Sequence, residues 1–214
     1  MPLDREAWRK ELHLSTFVNT AYQYRDVLSL NTGNRLLIIG PGQGLEAAVF
    51  RWRKYEVTTL DIDTMFEPDV VSSCHDMKMF EDGRFDVAIV SHVLEHLPIE
   101  LLKPALTEIA RVARHALVYL PIAGRHCSLR ANPGVLGIDV SLTVDLAPFW
   151  QKPDPRSPRY CGGAHYWEIG LRGFRWRDVT RMLNEEFIVL KNYRNNDWVV
   201  SGNFILQSRR WVTR

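Results

Sequence analysis

Cysteine is scarce in this chain. Only Cys74, Cys127 and Cys161 occur, widely spaced, odd in number and never as CxxC. That excludes a disulfide framework and a zinc-ribbon spacing, and it fits a reducing cytoplasm. No apolar run approaches the length that spans a bilayer, so no membrane partner is expected. The N-terminus, MPLDREAWRKEL, is charged from Asp4 onward and lacks the apolar core of a signal peptide. Charge of one sign is also lacking. The 27 Lys and Arg stand against 25 Asp and Glu, a formal net charge of +2, which gives no footing for an obligate nucleic-acid partner. There is no internal repeat and no low-complexity tract. What remains is ordinary for a soluble globular protein: 214 residues, 46% hydrophobic and 24% charged, enough for one large domain with an insertion.

The pattern along the chain is an alternation of helices and strands. Residues 4–30 read as helical, with Trp8, Leu12, Phe17, Ala21, Tyr24 and Leu28 as an apolar stripe broken near Ser15-Thr16. After a turn at 31–34, residues 35–39 form a strand whose composition suits burial on both faces. A helix follows with Leu45, Ala48, Val49 and Trp52 at helical spacing. Residues 56–60 form the second strand, ending at Asp61, and 70–72 a short third. FDVAIV, residues 85–90, is the fourth. Pro104 suits the first position of a helix carrying Leu106, Ile109, Ala110 and Ala113 on its buried face. Residues 116–120 form the fifth strand. The regular pattern stops over 122–169, a stretch rich in Gly and Pro that reads as a lid or substrate segment. A helix at 176–184 and two strands at 187–192 and 199–207, read as an antiparallel hairpin, complete the chain. This succession predicts a Rossmann-like doubly wound α/β sheet, mostly parallel, with helices on both faces.

Chemistry concentrates at LLIIGPGQGLE, residues 36–46. A strand enters a glycine turn and leaves as a helix, so backbone amides can approach a ligand closely. Asp61 ends the next strand, where a carboxylate accepts hydrogen bonds from a ribose. The loop is GxGxG. A dinucleotide fingerprint needs a further glycine where this chain has Leu45, which disfavours a dehydrogenase. His92, Glu95 and His96 spell HxxEH, a pattern also found in zinc peptidases. That mechanism needs both histidines on one helical face, whereas His92 directly follows a buried strand, so no metal is expected. GGAHYWE, residues 162–168, has two readings: His165 as a general base oriented by Glu168 with Tyr166 or Trp167 as a wall, or aromatics packing the segment onto the sheet. His126 and Tyr160 are weaker candidates for the same pocket. Arg172, Arg175, Arg177 and Arg181 read as a solvated helix face, given Asp178, Glu185 and Glu186 nearby.

Taken in order, these motifs resemble the class I S-adenosylmethionine-dependent methyltransferases of small-molecule, type-11-like kind, over about residues 35–121 and the terminal helix and hairpin. The resemblance implies a cofactor site of Gly40, Pro41, Gly42, Gly44, Asp61, Ile62, Asp76, Met77, Ser91 and His92. In it Asp61 holds the ribose, Asp76 receives the adenine amino group, and Met77 lies beside the base. It implies S-adenosyl-L-methionine as cofactor and a small-molecule acceptor methylated on oxygen or nitrogen, with His165, Glu168 and His92 as candidate catalytic groups. One domain is expected: a helical cap at 1–33, a core at 34–121 and 170–214, and the inserted segment at 122–169. Two departures stand out. Ile38 occupies the position of an acid usual in the family, and His115-Ala116 replaces a glycine pair. The rival readings are an NAD-dependent oxidoreductase, a nucleic-acid methyltransferase, and a non-catalytic binding protein that keeps the fold.

Overall fold

Four strands end side by side at one edge of a parallel sheet, and that edge organises the molecule. The computed structural model describes residues 12–131, 140–146 and 148–212. Its main sheet contains β1 (Arg35–Ile39), β2 (Glu56–Asp61), β3 (Val70–Val71), β4 (Phe85–Ser91), β5 (Ala113–Pro121), β8 (Phe187–Arg194) and β9 (Ser201–Ser208). The seven strands run in the order β3-β2-β1-β4-β5-β9-β8. The first five are mutually parallel, and β9 runs antiparallel to both β5 and β8. This is the expected Rossmann-like sheet with its terminal antiparallel pair.

Strand alternation divides the core in two. Leu37, Ile39, Ala88 and Val90 face one side, packing with Leu102, Leu106 and Ile109 of α3 (Ile99–Val112) and Val179 and Leu183 of α4 (Trp176–Glu186). Leu36, Ile38, Val87 and Ile89 face the other, against Val27 of α1 (Leu14–Ser29) and Ala47 and Phe50 of α2 (Leu45–Trp52). Each such side chain, removed from water, stabilises the fold by about 1.5–3 kcal/mol before entropy is counted. Ile38 thus sits in an apolar layer under α1 and α2, where an ionised acid would need a partner.

Several local expectations are corrected. The α1 stripe is not the buried face: Leu12, Phe17 and Leu28 are exposed, whereas Thr20, Gln23, Asp26 and Val27 are buried. Polar anchors decide its orientation, as described below. Trp8 lies outside the described residues. In α2 the buried residues are Ala47 and Phe50, and Trp52 is exposed. α3 begins before Pro104, which lies inside the helix, because Ile99 and Leu102 extend its apolar face toward Pro98. Ala113 is buried at the start of β5, not on the helix.

The stretch after β5 is not free of regular structure. β6 (Arg125–Ala131) and β7 (Val140–Leu146) pair antiparallel as a separate two-stranded sheet. Alternating Cys127, Leu129 and Val140, Leu142, Val144, Leu146 carry the strand signal, obscured by the Gly and Pro residues around them. Leu129, Leu142, Val144 and Leu146 are exposed. Among the described residues, no helix is long and apolar enough to cross a membrane.

Candidate active site

The glycine turn requires backbone that L-residues rarely adopt. Gly40, Gly42 and Gly44 have φ of 69°, 49° and 76°. Gly40 also meets a steric limit: a Cβ there would lie 2.4 Å from Val93 Cγ2. At Gly44 a Cβ would meet nothing within 4 Å, so the loop opens onto free space there. The Gly40 amide donates to the Leu60 carbonyl at 2.8 Å, fixing the turn against β2. Pro41 is buried beneath it.

Register then brings three strand ends together. Ile39 pairs with Leu60 and with Val90, so Gly40 lies between Asp61 and Ser91. Asp61 accepts the Asp63 amide through Oδ1 at 2.9 Å. Burial pushes its carboxyl up from the usual range, partly offset by the Asp63 and Ile62 amides. Ile62 itself is exposed. Helix α1 roofs this edge: Asn19 Nδ2 donates to Ser91 Oγ at 2.7 Å, and Thr16 Oγ1 donates to Gln43 Oε1 at 3.1 Å. The Thr16 tether orders the glycine loop in a chain that has Ile38 at the usual acidic position. Thr16 and Asn19 carry no sequence signal, because only the fold brings residues so distant in the chain to this edge.

Asp76 and Met77 are placed differently. Asp76 pairs with Lys78 at 3.2 Å and borders a shallow groove with His75, Lys103, Thr107 and Glu108, which no glycine-loop residue lines. The Met77 side chain is fully buried in the core. Its backbone is held by Glu108, which accepts its amide at 2.9 Å, and by Arg111, which donates to its carbonyl.

A second cluster forms beyond β4. His92 adopts a φ of 56°, in the left-handed region, immediately after the strand. Its Nδ1 lies 3.4 Å from Glu95 Oε1, its Nε2 3.3 Å from Ser201 Oγ, and its ring 4.7 Å from that of Trp198. Glu95 and His96 follow on a 3-10 turn (Leu94–His96), not on a peptidase-type helix. Onto this turn the segment around 160–169 docks. The Tyr166 amide donates to the Glu95 carbonyl at 2.8 Å, and Trp167 Nε1 donates to the Leu94 carbonyl at 3.2 Å. Trp167 is fully buried and stacks on Phe174, so it packs the segment down and does not form a pocket wall.

That docking brings His165 to His96, ring to ring at 4.7 Å. His165 Nδ1 pairs with Glu168 Oε1 at 2.7 Å. Glu95 is fully buried. Burial alone would raise its carboxyl, but His92 at 3.4 Å, with the charges of His96 and His165, outweighs it and holds it below the ordinary value. His96 also lowers Asp61, which places this cluster within electrostatic reach of the glycine edge. His126 lies elsewhere, on Asp145 at 2.8 Å, which also holds Arg194. Arg177 and Arg181 are exposed around Asp178, as a solvated face.

Residues 37–116 match the family described as methyltransferase domain. Over that span the core of this chain is similar to a methyltransferase domain. The fold is shared with solved proteins at low identity. The PH0226 protein of Pyrococcus horikoshii is 12% identical with a TM-score of 0.61, covering 94% of this chain and 93% of that one. The N-methyltransferase NodS of Bradyrhizobium japonicum, solved with S-adenosyl-l-homocysteine, is 12% identical with a TM-score of 0.57, over 97% and 94%. The 1,6-didemethyltoxoflavin-N1-methyltransferase of Burkholderia thailandensis is 14% identical with a TM-score of 0.54, over 91% and 86%. No curated protein matches the sequence.

Proposed function

We propose that this chain moves a methyl group from S-adenosyl-L-methionine to an oxygen or nitrogen of a small molecule. One observation carries the reading: Asp61, the positive-φ Gly40 turn and Ser91 stand side by side at the carboxyl edge of adjacent parallel strands. The open space at Gly44 and the half-buried Asp61 carboxyl suit an adenosyl group. The backbone of Gly40, Pro41, Gly42 and Gly44 would cradle the methionine and ribose end. Asp61 accepts from the ribose hydroxyls, with Ile62 alongside, and the loop of Asp76 and Met77 borders the base. Ser91 and His92 close the far side under α1. When bound, the cofactor supplies the activated methyl; the chain orients the acceptor and excludes water. Where the acceptor loses a proton, His165, oriented by Glu168, and His92 are placed to take it. The described part of the segment 122–169 would cover the acceptor. The unpaired cysteines fit a cytoplasmic protein.

Calorimetry with S-adenosylhomocysteine and with NAD tests this reading. Binding of the former, weakened in Asp61→Ala, is expected. Binding of NAD alone overturns it. A non-catalytic reading draws on Ile38, buried where an acid is usual. Transfer of labelled methyl into a metabolite extract excludes it, and saturable cofactor binding with no transfer to any extract supports it.

A further inference from the structure

The histidine and carboxylate cluster holds more than a base needs. Glu95, His96 and His165 each offer one ligand atom, all within 4.8 Å of one another. The two histidines are already fixed at Nδ1. His96 Nδ1 is 3.0 Å from the Ala164 carbonyl, and His165 Nδ1 is 2.7 Å from Glu168 Oε1. An imidazole that donates from Nδ1 to a carbonyl or carboxylate keeps Nε2 as a lone-pair donor, the arrangement that orients metal-binding histidines. Glu95 is fully buried, yet neither carboxylate oxygen has a hydrogen-bond partner. An orphaned buried carboxylate is costly unless a cation answers it, and the nearest group, His92 Nδ1, stands at 3.4 Å. His96 is exposed, which leaves an entry path from solvent.

We propose that Glu95, His96 and His165 bind one divalent transition-metal ion, zinc or a cation of similar size, beside the acceptor pocket. Two imidazoles and one carboxylate suit such ions, and three protein ligands leave a coordination position open. The ligand set is preorganised, because Tyr166 and Trp167 bolt the His165 segment onto the turn that carries Glu95 and His96. The site exists whether or not the chain transfers methyl groups. Resting on the methyl-transfer reading, it deepens that reading: the open position would take an acceptor oxygen, making hydroxyl-bearing molecules the substrate class, with His165 serving as ligand and His92 left to receive the proton.

The test uses the chelator-treated, dialysed full chain titrated with Co2+ alone, followed by visible d–d absorption, with Zn2+ competition. Saturation near one Co2+ per chain is expected. Glu168→Gln should weaken binding about 10–100-fold by freeing the His165 ring, and His96→Ala with His165→Ala should remove the bands. His126→Ala, a histidine held on Asp145 and not part of the cluster, should leave them unchanged. Thermal unfolding checks each variant, and if the double variant does not fold, the Glu168→Gln shift decides. Absence of bands in the parent chain overturns the proposal, as does unaltered affinity in a folded His96→Ala or Glu168→Gln variant. S-adenosylhomocysteine titration of the metal-free chain separates the two readings. Its binding without any Co2+ site sinks only the metal proposal, and Co2+ binding without it sinks only the methyl-transfer reading.

Discussion

Tyr119 donates its hydroxyl to Asp26 Oδ2 at 2.6 Å, joining the C-terminal part of β5 to helix α1 in a fully buried setting. Tyr193 donates to the same oxygen, and Arg25 closes on Oδ1 at 2.8 Å. Tyr193 in turn accepts from Asn203 at 3.1 Å. This one carboxylate explains why α1 buries Thr20, Gln23 and Asp26 instead of its larger apolar residues. It also sets the position of Thr16 and Asn19 over the glycine edge.

Asp26→Ala should therefore destabilise the chain by about 2–4 kcal/mol, because two tyrosine hydroxyls lose their acceptor inside the fold. Tyr119→Phe, which leaves Asp26 its other partners, should cost about 1–2 kcal/mol. Urea unfolding measures both. Equal, negligible losses would show that α1 is held by other contacts.

The two ends of the glycine turn should respond differently to alanine. At Gly40 a methyl collides with Val93 at 2.4 Å and needs a φ of 69°. A loss of about 2–4 kcal/mol is expected, partly restored by adding Val93→Ala. At Gly44 the space is open and only the backbone strain remains, about 1 kcal/mol. Thermal unfolding of the three variants checks the order.

Cofactor affinity should depend on the Asp61 charge. Burial raises this carboxyl above the ordinary aspartate range, so it takes up a proton earlier on acidification. S-adenosylhomocysteine should bind tightly above that value and lose affinity as pH falls through it. Asp61→Asn should bind about 10–100-fold more weakly and without this pH dependence. Calorimetry across pH 4–8 provides the comparison, and an unchanged profile in the variant would remove Asp61 from the site.

Stability should also report Glu46, in the first turn of α2, whose carboxyl burial pushes up to about 7 from 4.5. The folded chain holds this proton more tightly than the unfolded chain. Glu46 therefore adds nothing adverse below the unfolded value, and its penalty grows as pH rises to about 7. Glu46→Gln should be neutral near pH 4 and more stable by about 1–3 kcal/mol at pH 8, measured by urea unfolding of the cofactor-free chain.

The sequence by itself determined the sheet and its glycine-turn edge. Apolar runs at 35–39 and 85–90 bury both faces, the glycine turn demands positive φ, and Asp61 ends its strand; each is a local property that period and composition express. Only the tertiary structure decided what faces what. The stripe on α1 misled because one buried carboxylate and its tyrosine partners outweighed the helix's own apolar pattern. The β6–β7 pair was hidden because Gly and Pro residues surround its apolar alternation in the sequence. Glu95, His96 and His165 became a cluster because hydrogen bonds of Tyr166 and Trp167 fold a distant segment onto the turn after β4. Such contacts depend on loop closure between residues far apart in the chain, and periodicity records nothing of that.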